Sequence, residues 1–356
     1  MIAEAGVNHN GSLDRALRLV DAAVLAGVDA VKFQTFKADR MVTRGAAKAN
    51  YQQSATDPHE SQWEMIRRLE LSETDHERLL SHCRESGIQF LSSPFDLESL
   101  QFLVERLGVD LVKIPSGEIT NAPLLLQAGA SQRAILLSTG MATLGEIELA
   151  LGALAFGASQ SHSDNLAIPS IETFEMACRS PDGRRMLEQK VTLLHCTTEY
   201  PAPYGEVNLR AMDTLRAAFA LPVGFSDHTP GIAVAIAAAA RGAAVIEKHF
   251  TLDRHLPGPD HQSSLEPVEL ADMVRSVHAV VRALGDGIKV PMPSELGNRD
   301  VARKSLTAAC DILADELFST ENLTIKRPGT GISPMHYWQW LGRRAGRNYH
   351  RDQVIE

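Results

Sequence analysis

Two lysines stand inside short apolar runs, Lys32 in AVKFQ and Lys113 in LVKIP. Hydroxyls and glycines close similar runs: Ser92 and Ser93 in SSP, Ser116, Gly117 and Glu118 in PSGE, and Ser138, Thr139 and Gly140 in STG. Cations, hydroxyls and backbone N–H groups in that company make an anion cradle, most naturally for a phosphate and a carboxylate. A second set is imidazole and carboxylate: Glu4, His195, the run Ser226, Asp227, His228, then Lys248 and His249, with Asp260 and His261 in LPGPDHQSSLEP just beyond. Imidazoles beside carboxylates bind a divalent metal, which polarises a carbonyl. Each group also has a plainer role. A lysine in an apolar strand pairs with a buried acid, because a buried charge needs a partner. Histidines serve as hydrogen-bonded structural residues, and an aspartate after Gly-Pro shapes a turn. His9, in VNHNG, reads as a loop or cap residue.

These residues need a frame that brings them together. Apolar β-type runs fall at 2–7, 29–34, 88–93, 110–115, 134–139, 191–196, 222–226 and 243–249, and amphipathic stretches alternate with them. That order predicts βα units and a parallel sheet, and eight runs predict a (β/α)8 TIM barrel over 1–284. In such a barrel, polar side chains at strand carboxyl ends read as catalytic. Helices are expected at 12–26, 73–87, 143–155, 207–218, 230–241 and 266–283, several closed by Gly27, Gly87 and Gly242. Two long connections interrupt the alternation. Residues 35–72 fall on the carboxyl side of the barrel, where substrate lids sit; residues 157–190 follow a helix and are given a structural role. Residues 285–300 read as a Gly- and Pro-rich linker, and 301–356 as a small β-rich module.

The 356 residues suit a barrel plus a smaller module, and 44% hydrophobic with 22% charged residues is the balance of a globular chain with a sizeable core. The net charge of -9 argues against a nucleic-acid partner. Cys83, Cys178, Cys196 and Cys310 form no CxxC pair, so neither a zinc ribbon nor a disulfide framework is expected. No run approaches a membrane span and no leader is visible, so a cytoplasmic protein without a membrane partner is expected.

Taken in order, IAEAGVNHNG, AVKFQTFKAD, SQWEMIRRLEL, SSPFD, KIPSGE, LSTGMAT, LLHCTTEYPAP, FSDHTPG, IEKHFTLD and PGPDH, with ARKSLTA and KRPGTGISPM near the end, resemble the N-acetylneuraminate (sialic acid) synthase family, which includes legionaminic acid synthases. The resemblance implies condensation of phosphoenolpyruvate with an open-chain N-acetylated amino sugar, phosphate being released. It implies Mn²⁺ or Mg²⁺, a terminal antifreeze-like (SAF, β-clip) domain, and a domain-swapped homodimer. By the same resemblance, Lys32, Ser93, Lys113, Ser116, Ser138 and Ser226 hold phosphoenolpyruvate, and His228 and His249 hold the metal. Glu4 is the acid, base or water-orienting carboxylate. Gln34, Glu118, Tyr200 and Asp260 face the sugar, and Arg327 reaches its acetamido group in the partner's barrel.

Within this family the expected acceptor is N-acetylmannosamine, giving N-acetylneuraminate. The alternative is a legionaminic acid synthase using 2,4-diacetamido-2,4,6-trideoxymannose, which needs a pocket roomier and less polar on one side. A binding protein that has lost turnover is disfavoured by Glu4, His228, His249 and Arg327. A metal-dependent aldolase leaves the lysines and serines unexplained.

Overall fold

Each of the eight apolar runs is a strand in the computed structural model, which describes residues 1–57, 59–160 and 167–356. They are β1 (Ile2–Gly6), β2 (Ala30–Thr35), β3 (Gln89–Pro94), β4 (Leu111–Ile114), β5 (Ala134–Ser138), β6 (Val191–His195), β7 (Val223–Asp227) and β8 (Ile246–His249). All ladders are parallel, and the sheet runs β3-β2-β1-β8-β7-β6-β5-β4. β3 and β4, at the ends of that order, lie side by side without a hydrogen-bonded ladder, so the sheet is a nearly closed TIM-like barrel.

The helices form where the sequence supplies a face and caps. Leu13–Ala26 starts at Ser12, whose hydroxyl accepts from the Arg15 N–H, and stops at Gly27 in the left-handed region. Its apolar stripe packs on the sheet with those of the other helices, forming the main core. A separate layer plugs the barrel's interior: Ile2, Ala30, Leu91, Leu136 and Leu194, with Leu111 and Val245 against them. Side chains alternate along a strand, so the residue two places on from each plug residue points inward one layer higher. Glu4, Lys32, Ser93, Lys113, Ser138, Cys196 and Glu247 occupy those places. The apolar plug is the floor on which the polar layer stands.

The connection 35–72 contains three short helices, Ala38–Met41, Asn50–Ala55 and Gln62–Arg67. A capping box at Ser61 and Glu64 starts the third, and another at Ser72 and Asp75 starts the helix Glu73–Glu85. The connection 157–190 is helical too, with Ile171–Arg179 and Pro181–Lys190 following Leu144–Gln160; residues 161–166 lie outside the described residues.

The chain divides into two compact units, Met1–Leu284 and Gly285–Glu356. In the second, the segment expected to be a linker carries a helix, Pro293–Ala302, with proline in its first turn. β9 (Ser305–Ala308) and β10 (Leu323–Lys326) pair antiparallel, over a small core that includes Leu306, Phe318, Tyr349 and Ile355. Among the described residues no helix is long and apolar enough to cross a membrane.

Candidate active site

The polar layer is a buried charge network. Lys32 Nζ lies 2.6 Å from Glu4 Oε2 and 3.7 Å from Glu247 Oε2, and donates to Ser93 Oγ at 3.2 Å. Lys113 Nζ lies 3.2 Å from Glu247 Oε1, which also accepts from Ser226 Oγ at 2.8 Å. The two lysines and two glutamates are each under 4% exposed, so they balance one another out of water. The lysines therefore have the paired-acid role and still face a cavity. Burial works against the ionised form of Glu247, but Lys113 and Lys32 hold its carboxyl far below the usual range. Glu4 shares only Lys32, and burial pushes its pKa up to about 7. Burial therefore favours the protonated form of Glu4 more than that of Glu247, whose two lysines favour its anion.

Two neutral imidazoles stand beside this network. Burial lowers His228 to about 4 and His249 well below its ordinary value. His228 Nδ1 donates to the Thr197 carbonyl at 2.6 Å, which leaves Nε2 carrying the lone pair, 3.3 Å from Ser226 Oγ. His249 Nδ1 is buried without a hydrogen-bond partner, 3.8 Å from Asp260 Oδ2. The rings are 5.3 Å apart, and Tyr200 lies 4.3 Å from one and 5.3 Å from the other. Burial lifts Asp260 to about 6, against the pull of Lys32. Among the described residues no three His, Cys, Asp or Glu side chains converge as a ready metal cage. Two lone-pair imidazoles, one with an orphaned nitrogen, fit a divalent cation that takes its other ligands from substrate and water.

Local backbone makes room for these groups. Gly6 sits at a β-bulge with φ of +51°, and a Cβ there would stand 3.3 Å from Glu4 Oε1, 3.4 Å from Gln34 Nε2 and 3.6 Å from Asp260 Oδ2. Ser116 Oγ accepts from the Gly140 N–H at 3.0 Å, and a Cβ on Gly140 would strike Thr198 Oγ1 at 2.2 Å. Glycine at both places is what lets the cradle close up.

The network opens into a cavity of about 210 Å³ lined by Glu4, Lys32, Gln34, Ser93, Lys113, Ser116, Ser138, Tyr200, Ser226, His228, His249 and Asp260, with Glu247 among them. Its far side is supplied by the 35–72 connection through Phe36, Met41, Tyr51, Gln52, Gln62, Met65, Ile66 and Leu69. Gln34 Nε2 donates to Glu4 Oε1 at 3.3 Å.

One expected sugar-facing residue is not brought there. Glu118 does not line the cavity: the turn after β4 directs it to Asn121, whose Nδ2 it accepts at 2.6 Å. Arg327 belongs to the second unit, where it is exposed just past β10. His195 and Lys248 end strands but point outward. His195 Nε2 bonds the Val207 carbonyl at 2.7 Å, and the nearly fully buried Lys248 pairs with the equally buried Asp227 at 3.0 Å. Glu247 is the site residue that the sequence reading passed over.

Fold and site together define a β/α-barrel protein with an anion cradle and paired imidazoles at the carboxyl ends of its strands. The chain belongs to the NeuB family, whose model matches residues 19–289. It is 49% identical over 355 residues to the N,N'-diacetyllegionaminic acid synthase of Campylobacter jejuni, covering 100% of this chain and 98% of that protein. It is 44% identical to the synthase of the same name from Legionella pneumophila, over 98% of this chain and 90% of that protein. Among solved structures, the N-acetylneuraminic acid synthetase of Leptospira borgpetersenii, in complex with citrate, matches 83% of this chain and 88% of its own at 32% identity, with a TM-score of 0.65.

Proposed function

We propose that this protein is an N,N'-diacetyllegionaminic acid synthase, condensing phosphoenolpyruvate with 2,4-diacetamido-2,4,6-trideoxymannose and releasing phosphate. The observation that carries the reaction class is the facing arrangement of Lys32, Lys113 and their serines with His228 and His249 in one cavity. The choice of acceptor follows the names of the relatives at 49% and 44% identity, and it displaces the N-acetylmannosamine reading expected first.

In this reading Lys32 and Lys113 hold the anionic donor with Ser93, Ser116, Ser138 and Ser226. Each hydroxyl fixes an oxygen without adding charge. The C2–C3 π pair of phosphoenolpyruvate forms the bond from C3 to the sugar's aldehyde carbon and leaves C2 cationic, while the aldehyde's C=O π pair moves to its oxygen, which takes up a proton and becomes a hydroxyl. Water adds to C2, and the adduct expels phosphate by C–O cleavage to leave the 2-keto acid. Glu4, the carboxyl poised near neutrality, orients that water and takes its proton. Gln34, Tyr200 and Asp260 contact the sugar. His228 and His249 would hold Mn²⁺ or Mg²⁺, and that ion would supply polarisation of the aldehyde oxygen. Fixing both reactants in one cavity contributes proximity.

The same reading makes the second unit an antifreeze-like SAF domain that carries Arg327 to the sugar's acetamido group in the partner's barrel of a domain-swapped dimer, and makes the protein cytoplasmic. The test is phosphate release from phosphoenolpyruvate and Mn²⁺ with each acceptor. Release only with N-acetylmannosamine would restore the first-expected acceptor, and release with neither would end the synthase reading.

A further inference from the structure

The cavity has two chemically different sides. One is the charged network of strand residues. The other belongs to the 35–72 connection, and none of that connection's described residues lining the cavity carries a charge. They are apolar, apart from one phenol and two amides, Tyr51, Gln52 and Gln62. The apolar members belong to a hydrophobic cluster of their own, distinct from the barrel core, in which Val7, Phe36, Met65, Ile66 and Leu69 are all buried. The lid's own core is therefore also the wall of the site.

We propose that this wall, centred on Met65, Ile66 and Leu69, receives the acceptor's C6 end and selects a methyl group there over a hydroxymethyl or a phosphate. The inference rests on the condensation proposed above. The anionic donor must lie on the lysines, and the aldehyde beside the imidazoles. An open six-carbon chain then runs away from the charged side, toward the lid. A C6 methyl loses its water against Met65 and Leu69 at no polar cost. A C6 hydroxyl seated against Met65, Ile66 and Leu69 gives up hydrogen bonds to water that these three side chains cannot replace. An apolar pocket rejects an added hydroxyl only modestly, by a factor on the order of 10–100. A phosphate brings a charge that none of the described lid residues lining the cavity can balance, so its exclusion is far stronger.

Four acceptors separate this proposal from the one it rests on: the 6-deoxy and 6-hydroxy forms of both the 2,4-diacetamido and the 2-acetamido sugars. The 4-acetamido/4-hydroxy ratio of kcat/KM reads the assigned acceptor, and the 6-deoxy/6-hydroxy ratio reads the wall. The wild-type 6-deoxy/6-hydroxy ratio is expected to lie at roughly 10–100 in either 4-substituted series. Met65→Gln and Leu69→Asn should each lower it severalfold, whereas Met65→Leu should keep it; circular dichroism reports whether each variant folds. N-acetylmannosamine 6-phosphate should give no phosphate release above its own hydrolysis. A wild-type ratio near one, a ratio unmoved in both folded polar variants, or turnover of the 6-phosphate sugar would overturn the wall's role. A wall ratio as expected, with the 4-hydroxy sugar preferred, would leave it standing and remove only the legionaminic assignment. No turnover of any acceptor would remove both.

Discussion

Glu247 accepts Lys113 at 3.2 Å through the same oxygen that takes the Ser226 hydroxyl. One carboxylate therefore positions a lysine and a serine of the proposed donor cradle at once. Removing one partner of a buried pair costs about 3–5 kcal/mol, because the other charge stays buried alone. Glu247→Ala should lose stability on that scale in urea unfolding. The double replacement Glu247→Gln with Lys113→Met should recover much of the loss without recovering activity.

The pH dependence should report Glu4. Its pKa is raised to about 7, so the carboxylate that can accept a proton from water accumulates only as pH rises past neutrality. The kcat/KM should therefore climb through pH 7 and level off above it. Glu4→Gln should lower kcat by roughly 10²–10⁴-fold, the usual worth of a positioned acid or base, and abolish that limb. A pH profile of Glu4→Gln that keeps the same limb would assign the titration to another group.

On the outer face of β7 and β8, Lys248 and Asp227 form a pair that does not line the site cavity. Asp227 also accepts the N–H and hydroxyl of Thr229, so the pair holds the turn from which His228 projects. Lys248→Ala should cost about 3–5 kcal/mol in chemical denaturation. The folded fraction should keep its KM for phosphoenolpyruvate, since the lysine lies on the side of the strand away from the donor.

Gly6→Ala combines left-handed backbone with crowding. The conformation alone costs a residue with a Cβ about 1–2 kcal/mol. The added carbon would also press on Glu4 Oε1 at 3.3 Å. Activity should fall more than thermal stability does, and Gly6→Ala should depress kcat rather than raise KM for the donor.

His228→Ala and His249→Ala should each lower the Mn²⁺ retained after dialysis, measured by metal analysis of the protein itself. Retention equal to wild type in both variants would remove the imidazoles from the metal proposal.

The strands were legible because each apolar run is bounded by polar turns and capped helices. Their sequence limits fall within a few residues of the observed ones, the largest shift being the start of β8 at Ile246. Strand alternation was the unused signal. In IEKH, Lys248 and His249 must face opposite sides of the strand, so only one of them can enter the barrel. Following His249 back by two gives Glu247, and by two more Val245 of the interior plug. The same step back from His228 gives Ser226, so parity separates the inward pair from Asp227 and Lys248. The lid helices Ala38–Met41, Asn50–Ala55 and Gln62–Arg67 are too short to show periodicity, though SQWE is a start signal for the third. Glu118 was misplaced because a residue beyond the strand end follows its turn, not the strand's alternation.

The gap between β3 and β4 has a consequence for how this barrel responds to its ligand. Ser93 lies on one bank of that seam and Lys113 on the other, with no main-chain ladder between the strands. An anion gripped by both works as a stitch, joining through its own oxygens two edges that the backbone leaves unlaced. Ligation should then slow amide hydrogen exchange most along β3 and β4, because a molecule that binds only the closed form stabilises it by mass action.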